Sequence, residues 1–342
     1  MPPAQPATFR GVRLHIVTGK GGTGKTTVAA ALALALARRG MRVLLAEVEG
    51  RQGIAQTFDI APLATGEQRV VTNASGGQVW GLSVDAKAAL LEYLQIFYHL
   101  GRAGSALEKV GAIDFATTIA PGVRDVLLIG KIYEAVGRTS GSRRGRGNLV
   151  YDAVVLDAPP TGRIGRFLNV NAEVADVAKM GPIKSQAESI TRLLRSAQTA
   201  IHVVTLLEEM PAQETVDAVA EIGRLGMPLG AVVVNMVQSA LLTADELEAV
   251  QEAATDPRRR ARLGGEAATD LAASGIAVSD ALVDGLVAEA IDHADRLEVE
   301  AEQESVLAGT GLPRFHLPLL AAGVEDGGLS VLADVLAEEG MS

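Results

Sequence analysis

The chain has 342 residues and no cysteine, which excludes disulfides, iron–sulfur clusters and thiolate metal sites. Aromatic residues make up only 3% of the chain while 48% is hydrophobic, so a core must be built mainly from Ala, Leu, Val and Ile. The five histidines, His15, His99, His202, His293 and His316, are dispersed, and no pair has the spacing that would bind a metal on one helix. Basic residues are outnumbered, giving a formal charge of −10, which disfavours a nucleic-acid partner or broad attraction to anionic lipid. The runs 143–146 (RRGR) and 258–260 (RRR) read as solvated charge. Long apolar runs are also missing: the purest, residues 28–37, is about half of a membrane span. Residues 1–11 lack the apolar centre of a secretory leader and read as a short disordered tail. A cytoplasmic protein without an integral membrane span is expected.

Against these absences stands a repeated pattern of short β-branched runs, each followed by a helix-like stretch. The runs lie at residues 12–18, 42–48, 153–156, 201–207, 231–234 and 313–317. Strands alternating with helices predict an α/β fold with a mostly parallel central sheet covered on both faces. Residues 85–136 change to helical periodicity and read as a helical insertion. Residues 137–148 are rich in Gly, Arg and Ser and read as a mobile loop. A second helical region is expected over about 241–307, interrupted at Asp256-Pro257, with a closing helix near residues 329–338. Residues 12–342 are expected to form one composite domain.

The first strand runs into Gly19-Lys20-Gly21-Gly22-Thr23-Gly24-Lys25-Thr26, which fits G-x-x-x-x-G-K-[ST] between a strand and a helix. Glycines let backbone N–H groups turn toward one point, where the helix N-terminus adds partial positive charge. The stretch from Gly19 to Thr27 is therefore expected to hold ATP, with Lys25 reaching the β- and γ-phosphates and the Thr26 hydroxyl on Mg²⁺. The apolar run ending in Asp157 places a carboxylate where a second Mg²⁺ contact belongs. Asn235, at a strand end, offers both donor and acceptor to an adenine edge; a turn-forming role suits an asparagine there equally.

The loop GKGGTGKTT resembles the deviant Walker A of the ArsA and tail-anchored-protein-targeting ATPases, P-loop NTPases that act as dimers. Residues 157–168 (DAPPTGRIGRFL) resemble that family's switch II, with Arg163 standing where the family has histidine. The resemblance implies that Lys20 reaches across a dimer to the partner's nucleotide and that Glu208, before Met210-Pro211 and Glu214-Thr215, sits near nucleotide at the interface. It further implies that Asn235 reads the adenine and that Pro318-Leu319 packs over the base. Residues 121–125 (PGVRD) also resemble a family segment.

Departures from the pattern are informative. Where the family has D-P-A-H, with an aspartate that orients the attacking water, this chain has Glu49-Gly50-Arg51-Gln52. A carboxylate one methylene longer still reaches a water; if the water is displaced by about 1 Å, turnover falls on the order of a hundredfold. The cysteines of the family's arsenite site and of its interfacial zinc site are absent. The expectation is an ATP-hydrolysing dimeric switch, homodimeric or paired with a homologous chain, coupled to a protein client or partner. The alternative is a nucleotide-binding regulatory or scaffold subunit with little hydrolysis.

Overall fold

The computed structural model describes residues 9–48, 50, 52–64, 66–85, 88–89, 121–140, 147–170, 182–239 and 241–342. Much of the expected helical insertion, six residues of the loop after it, and Glu49 lie outside the described residues.

Among the described residues eight strands form one sheet: β1 (Leu14–Gly19), β2 (Arg42–Val48), β3 (Gln68–Thr72), β4 (Gln78–Val84), β5 (Ala153–Asp157), β6 (Thr199–Thr205), β7 (Leu229–Val237) and β8 (Arg314–Pro318). Their spatial order is β3-β4-β2-β5-β1-β6-β7-β8, and every pairing is parallel except β3 with β4. Strands β1, β5 and β6 are buried on successive residues because both of their faces are covered, as a parallel sheet requires. The β3–β4 hairpin was not among the expected strands. Its outer strand is exposed or half-exposed throughout and therefore carries little apolar signal. What defines it is the turn, where Asn73 N–H donates to Gly77 O and Gly76 N–H to Asn73 O.

The helices are α1 (Lys25–Arg38), α2 (Gly53–Thr57), α3 (Pro121–Gly137), α4 (Thr161–Leu168), α5 (Pro182–Leu194), α6 (Glu209–Arg224), α7 (Ala244–Thr255), α8 (Pro257–Ala273), α9 (Asp280–Ala308) and α10 (Gly328–Glu338). On one face of the sheet α1 is apolar all round, and residues 28–37 are buried on every side. They can be so because α1 lies between the sheet and α10, whose Leu329, Leu332, Ala333 and Leu336 close the outside. Arg38 ties the two helices together through Ser330 O and the Asp334 carboxylate. On the opposite face α3, α4, α5 and α6 cover Leu14, Ile16, Leu44, Val154 and Leu156.

Helices α7 to α9 lie between β7 and β8 in the chain. A capping box of Thr243 and Glu246 starts α7, Asp256 caps α8 ahead of Pro257, and Ser279 caps α9. Leu307 at the end of α9 packs with Ala212, Val232 and Val234, which returns the chain to the sheet edge as β8.

A pair of histidines is buried in the sheet. His15 on β1 and His202 on β6 meet through Nδ1 and Nε2 at 3.1 Å, and the Phe9 ring stands edge-on to both. Burial pushes His15 down to about 4 and holds His202 well below its ordinary value, with His15 a smaller second cause. Between pH 6.5 and about 4 the unfolded chain therefore binds more protons than the folded one, and stability rises with pH. His15 alone predicts a loss of about 2 kcal/mol between pH 7.5 and pH 5. Urea unfolding at the two pH values should show a shallower dependence in the His15→Leu/His202→Leu double variant. Parallel curves would contradict this assignment.

Candidate functional site

Strand β1 lies inside the sheet between β5 and β6, and its connections open a crevice beyond the C-terminal strand ends. Residues 20–24 turn there into α1. Gly22 (φ 90°) and Gly24 (φ 82°) occupy the left-handed region, where a Cβ costs about 1–2 kcal/mol. A Cβ on Gly24 would also run into the Asn235 side-chain amide, whereas one on Gly21 or Gly22 would meet nothing within 4 Å. The loop is thus braced from below and open above. No side chain caps the N-terminus of α1, which leaves its dipole end directed into that opening.

Polar contacts inside the loop curl it around one ammonium group. Lys25 is buried, with its Nζ donating to Lys20 O at 3.0 Å, and the Thr23 hydroxyl donates to the same carbonyl at 2.9 Å. Thr26 Oγ1 donates to Asp157 Oδ2 at 2.6 Å, which joins the start of α1 to the end of β5. The segment after Asp157 is fixed to β1 by Ala158 N–H on Val17 O and by Thr18 Oγ1 on Pro159 O at 2.7 Å. Asn235, 4% exposed on β7, donates Nδ2 to Thr23 O at 2.9 Å. Lys20 extends outward and pairs with Glu214 of α6 at 3.0 Å; the same carboxylate faces the Thr161 hydroxyl at 3.4 Å.

The fold therefore gathers Gly19, Lys20, Gly21, Gly22, Thr23, Gly24, Lys25, Thr26, Asp157 and Asn235 around one opening. Thr27 follows, half-buried, in the first turn of α1. Pro318 ends β8 opposite Val237, and the half-exposed Leu319 donates its amide to Val237 O at 2.8 Å. Glu208 is exposed at the N-cap of α6. Among the described residues no hydrogen bond links Glu208, Pro318 or Leu319 to the loop. Asp125 of α3 and Arg163 of α4 approach to 3.9 Å, joining the segment after Asp157 to the helix that follows the insertion.

Two acidic residues near the loop were not marked as site residues by sequence reasoning. One is Glu214. The other is Glu47, 2% exposed and opposite Asp157 across the β2–β5 pairing. Its signal was available: a carboxylate inside an otherwise apolar strand must have partners.

A sequence model described as anion-transporting ATPase matches residues 12–197, more than half of the chain. The ATPase BagA of Mycobacterium tuberculosis is 49% identical over 336 residues, covering 98% of this chain and 96% of BagA. The protein Rv2184c of the same organism is 27% identical over 269 residues, covering 68% and 60% of the two chains. The ATPase ARSA1 of Chlamydomonas reinhardtii is 24% identical over 225 residues, covering 57% of this chain and 28% of that protein.

The brace under the loop is testable without nucleotide. Asn235→Asp keeps the side-chain shape but turns a carboxylate oxygen toward the Thr23 carbonyl. Loss of this buried hydrogen bond should cost about 1–3 kcal/mol in unfolding free energy. An unchanged urea midpoint would show that the amide does not support the loop.

Proposed function

The chain belongs to the ArsA family of anion-transporting ATPases, and we propose that it is a nucleotide-gated switch which binds Mg-ATP at the glycine loop and hydrolyses it to ADP and phosphate. The observation that carries this reading is the 2.6 Å contact of Thr26 with Asp157 beneath an open, glycine-lined turn. A hydroxyl and a carboxylate already touching are hard oxygen donors that would hold Mg²⁺. Bound there, Mg²⁺ supplies charge neutralisation to the triphosphate oxygens.

The protein's own groups divide the work. Backbone amides around residues 22–26 meet the phosphates, the Thr23 amide and Lys25 exchanging their contacts with the Lys20 carbonyl for phosphate oxygens. Glu49 is the residue we assign to holding the attacking water. Asn235 braces the loop with its Nδ2 and keeps its oxygen for the adenine edge; Pro318 and Leu319 cover the base and Glu208 lies at the subunit interface.

Lys20 is assigned the trans contact to a partner's nucleotide in a dimer, either of two copies or with a homologous chain. Its present partner does not forbid this. The Lys20–Glu214 pair is partly exposed, with side-chain exposures of 30% and 37%, and pairs of that kind contribute about 0.2–1 kcal/mol. Charge-assisted hydrogen bonds to phosphate exceed that. Release of Lys20 also frees Glu214 from its place beside Thr161, and Arg163 passes a movement of α4 to Asp125 on α3, toward a protein client or partner. No helix among the described residues is long and apolar enough to cross a membrane. We assign the switch to the cytoplasm, with no nucleic-acid partner.

Three measurements separate binding, hydrolysis and assembly. Lys25→Ala should weaken ATP binding at least about tenfold by equilibrium dialysis, from loss of a charged hydrogen bond. Glu49→Gln should bind ATP within about threefold of the parent but turn over on the order of a hundredfold more slowly. A parent chain that binds Mg-ATP without turnover would instead favour the regulatory-subunit alternative. By light scattering, Mg-ATP should raise the mass toward a dimer, alone or with a homologous chain, and Lys20→Ala should reduce that assembly. A strict monomer under all conditions would remove the trans role.

A further inference from the structure

Glu47 is the last carboxylate of β2 before the connection that carries Glu49, and it is almost completely buried. Its register partner is Asp157, so both side chains leave the sheet on the α1 face, where Thr26 lies. A lone carboxylate so placed requires compensation, and it has three donors. Glu47 Oε1 accepts from Gln52 N–H at 2.8 Å and from Ser83 Oγ on β4 at 2.9 Å, while Oε2 accepts from Ile54 N–H at 3.1 Å.

These contacts grip the chain just beyond Glu49. Gln52 holds a left-handed φ of 56°, which a non-glycine residue keeps only when its surroundings over-determine it. Glu47 fixes its amide, and its own side chain pairs both ways with Leu63, donating Nε2 to Leu63 O at 3.3 Å and accepting from Leu63 N–H at 2.7 Å. Between the two gripped amides sits Gly53. A Cβ there would stand 3.0 Å from Thr26 Cγ2, 3.4 Å from Thr26 Oγ1 and 3.6 Å from Glu47 Oε2. The start of α2 is thus pressed against the hydroxyl that contacts Asp157, with the Glu47 carboxylate behind it.

We propose that Glu47 is a positioning residue for ATP hydrolysis: it clamps residues 52–54 between β4 and Thr26 and so holds the connection after β2 against the hydroxyl that meets Asp157. It does not itself touch the nucleotide. The inference rests on the hydrolytic reading above and adds to it the group that holds the start of α2 beside Thr26. It also accounts for a strand that tolerates one buried charge among apolar neighbours.

The test pairs amide hydrogen exchange with steady-state kinetics on the full chain. In Glu47→Ala, exchange at the Gln52 and Ile54 amides should accelerate at least about tenfold, because both lose their acceptor. Its kcat should fall about ten- to a hundredfold while KM for ATP stays within about threefold, as misplacement rather than lost binding requires. Glu47→Gln keeps one acceptor oxygen and should fall between parent and Ala variant, and it decides the matter if Glu47→Ala does not fold. Unchanged exchange would overturn the clamp. Faster exchange with parental kcat would overturn the positioning role and leave only a structural cap. A parent chain with no turnover would instead overturn the hydrolytic reading and the positioning role together, leaving the exchange data to judge the clamp alone.

Discussion

A triphosphate carries several negative charges within a few ångströms, and a protein can meet them closely only where its backbone amides are not shielded by side chains. The turn between β1 and α1 satisfies that constraint, and much of the molecule is arranged to keep it satisfied. Its glycines leave the upper side open and accept left-handed angles. Asn235 supports it from β7, Asp157 holds the first turn of α1 from β5, and Pro159 is tied to β1 through Thr18. Each support comes from a different strand, so the loop has its shape only when the sheet order is complete.

The sheet in turn depends on α1. A helix apolar on every side is stable only if it is enclosed, and α10, more than 290 residues further along the chain, supplies the outer wall. The strand that precedes α10, β8, reaches the sheet only after α7, α8 and α9 have carried the chain out and back. Burial of α1 therefore couples the two ends of the sequence, and the N-terminal end of that same helix forms one wall of the site. Packing and binding are served by one element, which is why a small change at Gly24 or Asn235 is expected to be felt in both.

Legibility in the sequence followed the strength of the local signal. The glycine loop was readable residue by residue because its chemistry demands those residue types at that spacing. Strands β1, β2, β5, β6 and β7 were readable because burial on both faces leaves long apolar runs, and the edge strand β8, half-buried on alternate residues, was expected as well; their ends are displaced by up to three residues. The β3–β4 hairpin escaped because its outer strand is largely exposed and its evidence is a turn. At the site, Asp157 could be found as a carboxylate closing an apolar run. Glu47 could not be placed by the same rule, because it precedes the strand's end and its meaning comes from Ser83, Gln52 and Ile54, which are neighbours only after folding. The contact of Lys20 with Glu214 was invisible for the same reason, since nearly two hundred residues separate them. Family membership adds ATPase ancestry to this picture.

The account stands on the claim that this one turn grips a triphosphate through backbone amides, Lys25 and the Thr26–Asp157 pair. Calorimetric titration of the intact chain with a slowly hydrolysed ATP analogue, with and without Mg²⁺, tests it most directly. We predict one saturable site per chain, clear weakening when Mg²⁺ is withdrawn, and loss of the signal in Gly24→Ala. A folded chain that gives no binding heat with either form, or binding that Gly24→Ala leaves intact, would contradict it.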